Sequence, residues 1–267
     1  MAIIHSFDNA VIYYDYVRKE EPVLIFLHGL IHNHTIWKKE VDFFSEKEFS
    51  TLSVDLRGHG KSEVPLSLSA FKIENFANDV HEIIKKENIK HFILIGHSLG
   101  GMVILKFLEL YPHEADKAVL IDSGYENPWK SIEKYHLTPL LDQFLSRLFE
   151  NKKLQKKYFH DVDFSKFDNK YDVYYWLQGL KGTSLQTVVA CFKGIIDLDE
   201  KHILPNIAIP VLLIHGDKDN KIPLREAISM KQHIKNSKLV ILRNASHDTP
   251  LFQAEKINKA VASFLEN

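Results

Sequence analysis

Five short runs of apolar residues, at 22–28 (PVLIFLH), 51–55, 91–96, 117–122 and 210–215, constrain this chain more than any other feature. A strand that is apolar at every position is covered on both faces, as in a parallel sheet clothed by helices. Helical patterns lie between the runs. Ile73, Phe76, Ala77, Val80, Ile83 and Ile84 recur at i, i+3, i+4 and i+7 and make one apolar face. A second helix opens at Leu99 and ends near Tyr111, before Pro112. A third runs from about Gln253 to Leu265, with Ile257, Val261, Phe264 and Leu265 on one side. This alternation predicts an α/β fold built on a mostly parallel central sheet with helices on both faces. Ahead of it, the β-like runs 2–7 and 11–17 flank Asp8-Asn9 and read as a hairpin.

From about Tyr125 to His202 the alternation stops. This stretch has helix-like patches, one starting at Asn127-Pro128, and many aromatic residues. Trp129, Tyr135, Tyr158, Tyr171, Tyr174, Tyr175 and Trp176 line either a substrate pocket or the lobe's own core. The expected organisation is a core of residues 1–124 and 203–267, with a helical lobe at 125–202 inserted into it.

Charge narrows the functional classes. Thirty-four Lys and Arg oppose 35 Asp and Glu, for a net charge of −1. No basic footprint for nucleic acid results. A short basic run at 151–157 reads as a solvated helix face. No stretch of 18 apolar residues predicts a membrane span, and the first residues lack the pattern of a signal peptide. The one cysteine, Cys191, lies in the apolar stretch TVVACFKGI and reads as a buried, inert thiol. The expectation is a cytoplasmic monomer or homodimer.

The chemistry centres on Gly96-His97-Ser98-Leu99-Gly100, a G-x-S-x-G pattern. The bare pentapeptide recurs by chance, but here a strand precedes it and an apolar-periodic helix follows. Flanking glycines allow a turn too tight for side chains, and the hydroxyl stands at a helix N-terminus that favours negative charge. A serine needs a base. Of 15 histidines, His247 lies between a strand ending at Leu242 and the final helix, at the edge where ligands of open α/β sheets gather. The base needs an acid. Asp217, Asp219 and Asp122 each follow a strand, and chain order leaves all three open. The amides of Leu99 and, after the strand ending at His28, of Leu30 would form an oxyanion hole. His28, His32 and His34 suggest a metal, but no cysteine pair or carboxylate pattern accompanies them, and they read as a loop at the pocket mouth. His202 and His215 read as structural.

These segments resemble the α/β-hydrolase superfamily, in its compact esterase and lactonase-like branch. The resemblance rests on LHGL at 27–30, Trp37, DLRGHGKS at 55–62, GHSLGG at 96–101, HGDKDNKIP at 215–223 and SHDTPLFQAEKINKAVASFL at 246–265. It leaves roughly 125–200 uncovered, where the family inserts a variable helical cap. The family pattern G-x-x-D-x-x-[V/I]-P matches Gly216, Asp219, Ile222 and Pro223, and so implies Asp219 as the acid. It supports Ser98, His247, Leu30 and Leu99 in the roles above, while Arg57 and His59 of DLRGHGKS read as loop-structuring. Ser98 stands where related epoxide hydrolases and haloalkane dehalogenases carry aspartate. His97 stands where carbon–carbon bond hydrolases carry asparagine, and Ser246 where glycine often precedes the histidine. The implied activity is hydrolysis of a small carboxylic ester, thioester or lactone through an acyl-enzyme, without metal or cofactor. Two other readings fit the same triad: a small-molecule sensor with slow or incidental hydrolysis, and a cofactor-free perhydrolase or haloperoxidase.

Overall fold

Each apolar run enters a single eight-stranded sheet in a computed structural model that describes residues 2–127, 143, 146, 147, 162–167, 173–196 and 198–266. The strands are β1 (Ala2–His5), β2 (Val11–Val17), β3 (Glu20–Leu27), β4 (Phe49–Val54), β5 (Phe92–His97), β6 (Lys117–Ile121), β7 (Val211–Gly216) and β8 (Ser237–Leu242). Their spatial order is β1-β2-β4-β3-β5-β6-β7-β8. β2 is antiparallel to both its neighbours, and every pairing from β4 to β8 is parallel.

Alternation across the sheet explains why the runs are apolar throughout. Val23, Ile25 and Leu27 of β3, with Phe92 and Leu94 of β5, join the core on one face. Their neighbours Leu24, Phe26, Ile93 and Ile95 join the core on the other. Helices α2 (Ile73–Lys86) and α3 (Leu99–Leu110) bury Phe76, Val80, Met102 and Val103 on the first face. Helix α1 (Lys38–Ser45) and the helix Ala254–Leu265 bury Phe44, Ile257, Val261 and Phe264 on the second. The expected fold class is therefore observed.

The hairpin forms as expected, but β1 ends at His5. Ser6 and Asn9 instead close the turn through Ser6 N–H to Ala10 O and Asn9 N–H to Ser6 O, both 2.9 Å. The Ser6 hydroxyl bonds to Asp79. That carboxylate also receives Arg57 Nε and Nη2 at 2.7 and 2.6 Å, while Nη1 reaches Asp8 Oδ2 at 2.9 Å and Ala70 O at 2.7 Å. The fully buried Arg57 thus ties the hairpin, α2 and its own loop together. Removing one partner of such a pair typically costs about 3–5 kcal/mol. His59 Nδ1 donates to Arg57 O at 3.0 Å, so both residues hold the loop, as expected.

Between β6 and β7 the chain leaves and returns at one place. Asn127 N–H donates to Leu198 O at 2.8 Å and Glu200 N–H to Tyr125 O at 2.7 Å. Described residues in this stretch include helices α4 (Val173–Gly182) and α5 (Leu185–Gly194). The helix expected from Asn127-Pro128, the run 151–157, and Trp129, Tyr135, Tyr158 and Tyr171 lie outside the described residues, as do the side chains of Tyr174, Tyr175 and Trp176. No helix among the described residues is long and apolar enough to cross a membrane.

Sequence periodicity gave no sign of α1, because Glu40 sits on its buried side. Glu40 is 1% exposed, and among the described residues neither carboxyl oxygen has a partner beyond its own N–H. Burial raises this carboxyl from its ordinary 4.5 to about 8. The folded chain therefore keeps a proton that the unfolded chain has released across that window, so stability falls as pH climbs from about 4.5 to about 8. Glu40→Met, which removes the buried acid, should raise stability by about 1–3 kcal/mol near pH 8.5 and by less near pH 5. Thermal melts at the two pH values check it.

Candidate active site

β5 delivers Ser98 into a turn that few residues can make. Its φ of 50° and ψ of −114° are strained for a residue with a side chain, at a cost on the order of 1–3 kcal/mol. The Ser98 N–H donates to Ile121 O at 3.0 Å, and Ser98 O accepts from Gly101 and Met102 N–H at 3.0 and 3.2 Å. The chain thus passes from β5 into α3 within one residue. Two glycines make this possible. A Cβ on Gly96 would lie 2.5 Å from Gly100 C, and one on Gly100 would lie 2.2 Å from Leu27 O.

His247 reaches the serine from the loop after β8. Its Nε2 lies 2.9 Å from Ser98 Oγ, and its Nδ1 lies 2.7 Å from Asp219 Oδ2. Asp219 follows β7 and has a fully buried side chain. Its Oδ1 accepts the Lys221 and Ile222 N–H groups at 2.8 and 2.9 Å. Burial alone would push this carboxyl up. The bond to His247 and the two amides outweigh burial and hold the carboxyl below its ordinary range. A carboxylate accepts from Nδ1–H, which leaves Nε2 to accept the serine proton.

The three acids left open by chain order separate here. Asp217 is exposed. Asp122 is fully buried but is taken up by Gly216 N–H at 2.8 Å and by the Thr249 hydroxyl and amide. One oxygen of Asp122, one of Asp219 and a ring nitrogen of His215 lie within 4.8 Å of one another. Burial, added to by the charge of Asp219, raises Asp122 to about 7. Asp122 thus braces the ends of β7 and the His247 loop.

Sequence reading missed two supports. His97 donates from Nε2 to the His247 carbonyl at 2.8 Å, and burial holds its ring well below the ordinary histidine range. Ile31 has φ 65°, unusual for a β-branched residue, in the turn closed by His32 N–H to Gly29 O at 3.3 Å. Neither role has a signature in residue type or spacing. The histidine trio does not converge as metal ligands would. His28 Nε2 accepts Leu56 N–H at 3.0 Å, His34 pairs with Asp55 at 2.8 Å, and His32 alone of the three lines the cavity. His215 is held by Ile222 O at 2.9 Å, and the exposed His202 by Glu109 at 2.8 Å. Nothing in the structure explains the serine at 246.

Ser98 and His247 open into a cavity of about 590 Å³ with walls from Leu30, Met102, Val188, Phe192 and Ile195. Leu30 and Leu99 both border it. Leu99 opens α3, so its N–H has no acceptor within the helix. Cys191 also faces the cavity, yet it is buried and burial pushes its thiol up, as expected of an inert group.

Residues 22–254 match the family described as alpha/beta hydrolase fold. The chain belongs to the α/β-hydrolase family. This α/β hydrolase is 27% identical over 287 residues to a bifunctional esterase/perhydrolase of Acinetobacter calcoaceticus, covering 100% of both chains. It is 24% identical over 273 residues to 3-oxoadipate enol-lactonase 2 of Acinetobacter baylyi, covering 97% of this chain and 94% of the other. An esterase structure from Exiguobacterium antarcticum superposes with a TM-score of 0.78 at 20% identity over 99% of both chains, a likeness of fold.

Replacing Gly100 by alanine should test the turn. Gly100→Ala should destabilise the α/β hydrolase by about 1–3 kcal/mol or more, read from urea denaturation.

Proposed function

We propose that this α/β hydrolase is a serine hydrolase acting on small carboxylic esters, thioesters or lactones, with Ser98, His247 and Asp219 as its triad. The hydrogen-bonded line from Asp219 through His247 to Ser98, opening on an apolar cavity, carries the reading. Full-length relatives named as an esterase/perhydrolase and an enol-lactonase support ester-bond hydrolysis.

In the proposed mechanism His247 Nε2 takes the Ser98 proton as the oxygen attacks the carbonyl carbon. The Leu30 and Leu99 amides hold the oxyanion. As the intermediate collapses, His247 protonates the departing alcohol, thiol or ring oxygen, leaving an acyl group on Ser98. A water, deprotonated by His247, then releases the acid. Asp219 stays ionised throughout and fixes the ring's tautomer. Residues 125–202 act as the cap: α5 contributes Val188, Phe192 and neighbouring residues to the cavity wall. A volume near 590 Å³ suits a small ligand.

A second reading, perhydrolysis, shares the acyl-enzyme and replaces water by hydrogen peroxide. The perhydrolase activity for which the Acinetobacter calcoaceticus relative is named favours this reading. Peroxide-dependent formation of peracid from a short ester distinguishes the two.

A fluorophosphonate probe should label the wild-type protein and fail on Ser98→Ala, and hydrolysis of p-nitrophenyl butyrate should fall about 10³-fold or more. Equal labelling of both proteins would rule out Ser98 as nucleophile.

A further inference from the structure

One wall of the cavity is polar. Lys221 stands two residues after Asp219, and Asp248 follows His247, so the loops that carry acid and base also carry this pair. Lys221 Nζ lies 3.7 Å from Asp248 Oδ2, and His32 Nε2 lies 3.8 Å from Oδ1. Lys221 and Asp248 thus form a loose ion pair, and both separations are longer than a direct hydrogen bond. The Asp248 side chain is 10% exposed, and its buried Oδ1 accepts no hydrogen bond. Buried carboxylates ordinarily accept several, because an unmet one costs free energy. Burial draws Lys221 below the ordinary lysine range, against the pull of Asp248. The remaining walls are mostly apolar, which makes this corner the selective part of the cavity.

We propose that Asp248 and Lys221 form a subsite for a free hydroxyl on the ester or lactone, a reading that rests on Ser98 as nucleophile. A hydroxyl donates and accepts at once. Between Asp248 Oδ2 and Lys221 Nζ, 3.7 Å apart, its proton bonds to the carboxylate while its oxygen accepts from the ammonium. A substrate ammonium would meet the like charge of Lys221, and a substrate carboxylate that of Asp248. An alkyl chain would fill the gap between Asp248 and Lys221 without bonding to either. Sites built around a substrate hydroxyl reject the analogue lacking it, because their own polar groups are then stranded. Because both residues neighbour triad members in the chain, the backbone that orients His247 and Asp219 also fixes the subsite relative to Ser98.

The test compares kcat/KM for methyl hexanoate with the methyl esters of 2-, 3- and 6-hydroxyhexanoate, with methyl 6-aminohexanoate and with monomethyl adipate. One hydroxy ester should exceed methyl hexanoate by about tenfold or more, and the ammonium and carboxylate esters should fall below it. The ratio of hydroxy to plain ester is the readout, since it cancels any loss common to both. Asp248→Ala should bring that ratio near unity, and Lys221→Met should lower it. Asp248→Asn keeps the shape and one acceptor oxygen, so an intermediate ratio is expected even if the alanine variant folds poorly. A wild-type ratio near unity, a ratio unchanged in Asp248→Ala, or a preference for monomethyl adipate overturns the proposal. Full activity of Ser98→Ala on methyl hexanoate would instead remove the nucleophile itself, so the two failures are distinct.

Discussion

Parallel pairing of β3, β5, β6, β7 and β8 governs where chemistry can occur in this protein. Strands that run the same way end on the same edge, so the loops after them converge without further design. Leu30 follows β3, Ser98 follows β5, Asp122 follows β6, Asp219 follows β7 and His247 follows β8. The register that aligns Leu27 with Gly96 and Gly96 with Leu120 also brings the serine turn beside the loop after β3. A shift by one residue would turn every buried side chain to the opposite face, and the two apolar cores oppose any such slip.

Around that frame, buried polar groups hold what the sheet alone leaves loose. Arg57 fastens the antiparallel hairpin to α2. Asp122 performs the same kind of task, joining the end of β7 to Thr249, two residues past His247. His97 holds the His247 carbonyl from beneath. Each occupies a site where an unpaired polar group would be costly, so each favours one arrangement of its loop over the alternatives. The imidazole of His247 is thus positioned through its backbone as well as through its ring.

Much of this was legible in the sequence. The strands could be read because residues covered on both faces must be apolar at every position, and α2 because one of its faces is exposed. The residues that meet at the candidate site could be read because G-x-S-x-G demands a particular turn, and because chain order and strand ends limit the partners. Choosing among Asp217, Asp219 and Asp122 required family resemblance, since nothing in their spacing says which carboxylate faces the imidazole. Helix α1 was not legible, because a buried Glu40 breaks the pattern that periodicity looks for. The bracing by His97 and Asp122 was not legible either. It depends on atoms brought together from distant parts of the chain, such as His97 and the carbonyl of a residue 150 positions away.

The paired bonds at Asn127–Leu198 and Tyr125–Glu200 have a consequence for how such a protein can change over generations. The stretch between β6 and β7 starts and finishes at adjoining points, while those two strands remain bonded to each other through Ala118 and Val211. Length, helix number and composition within that stretch can therefore drift with little entropic penalty and without moving the strands. Under the proposed function, the α5 residues that line the cavity are free to diversify while Ser98, His247 and Asp219 stay where they are, so descendants of one scaffold could acquire new diets without relearning the chemistry.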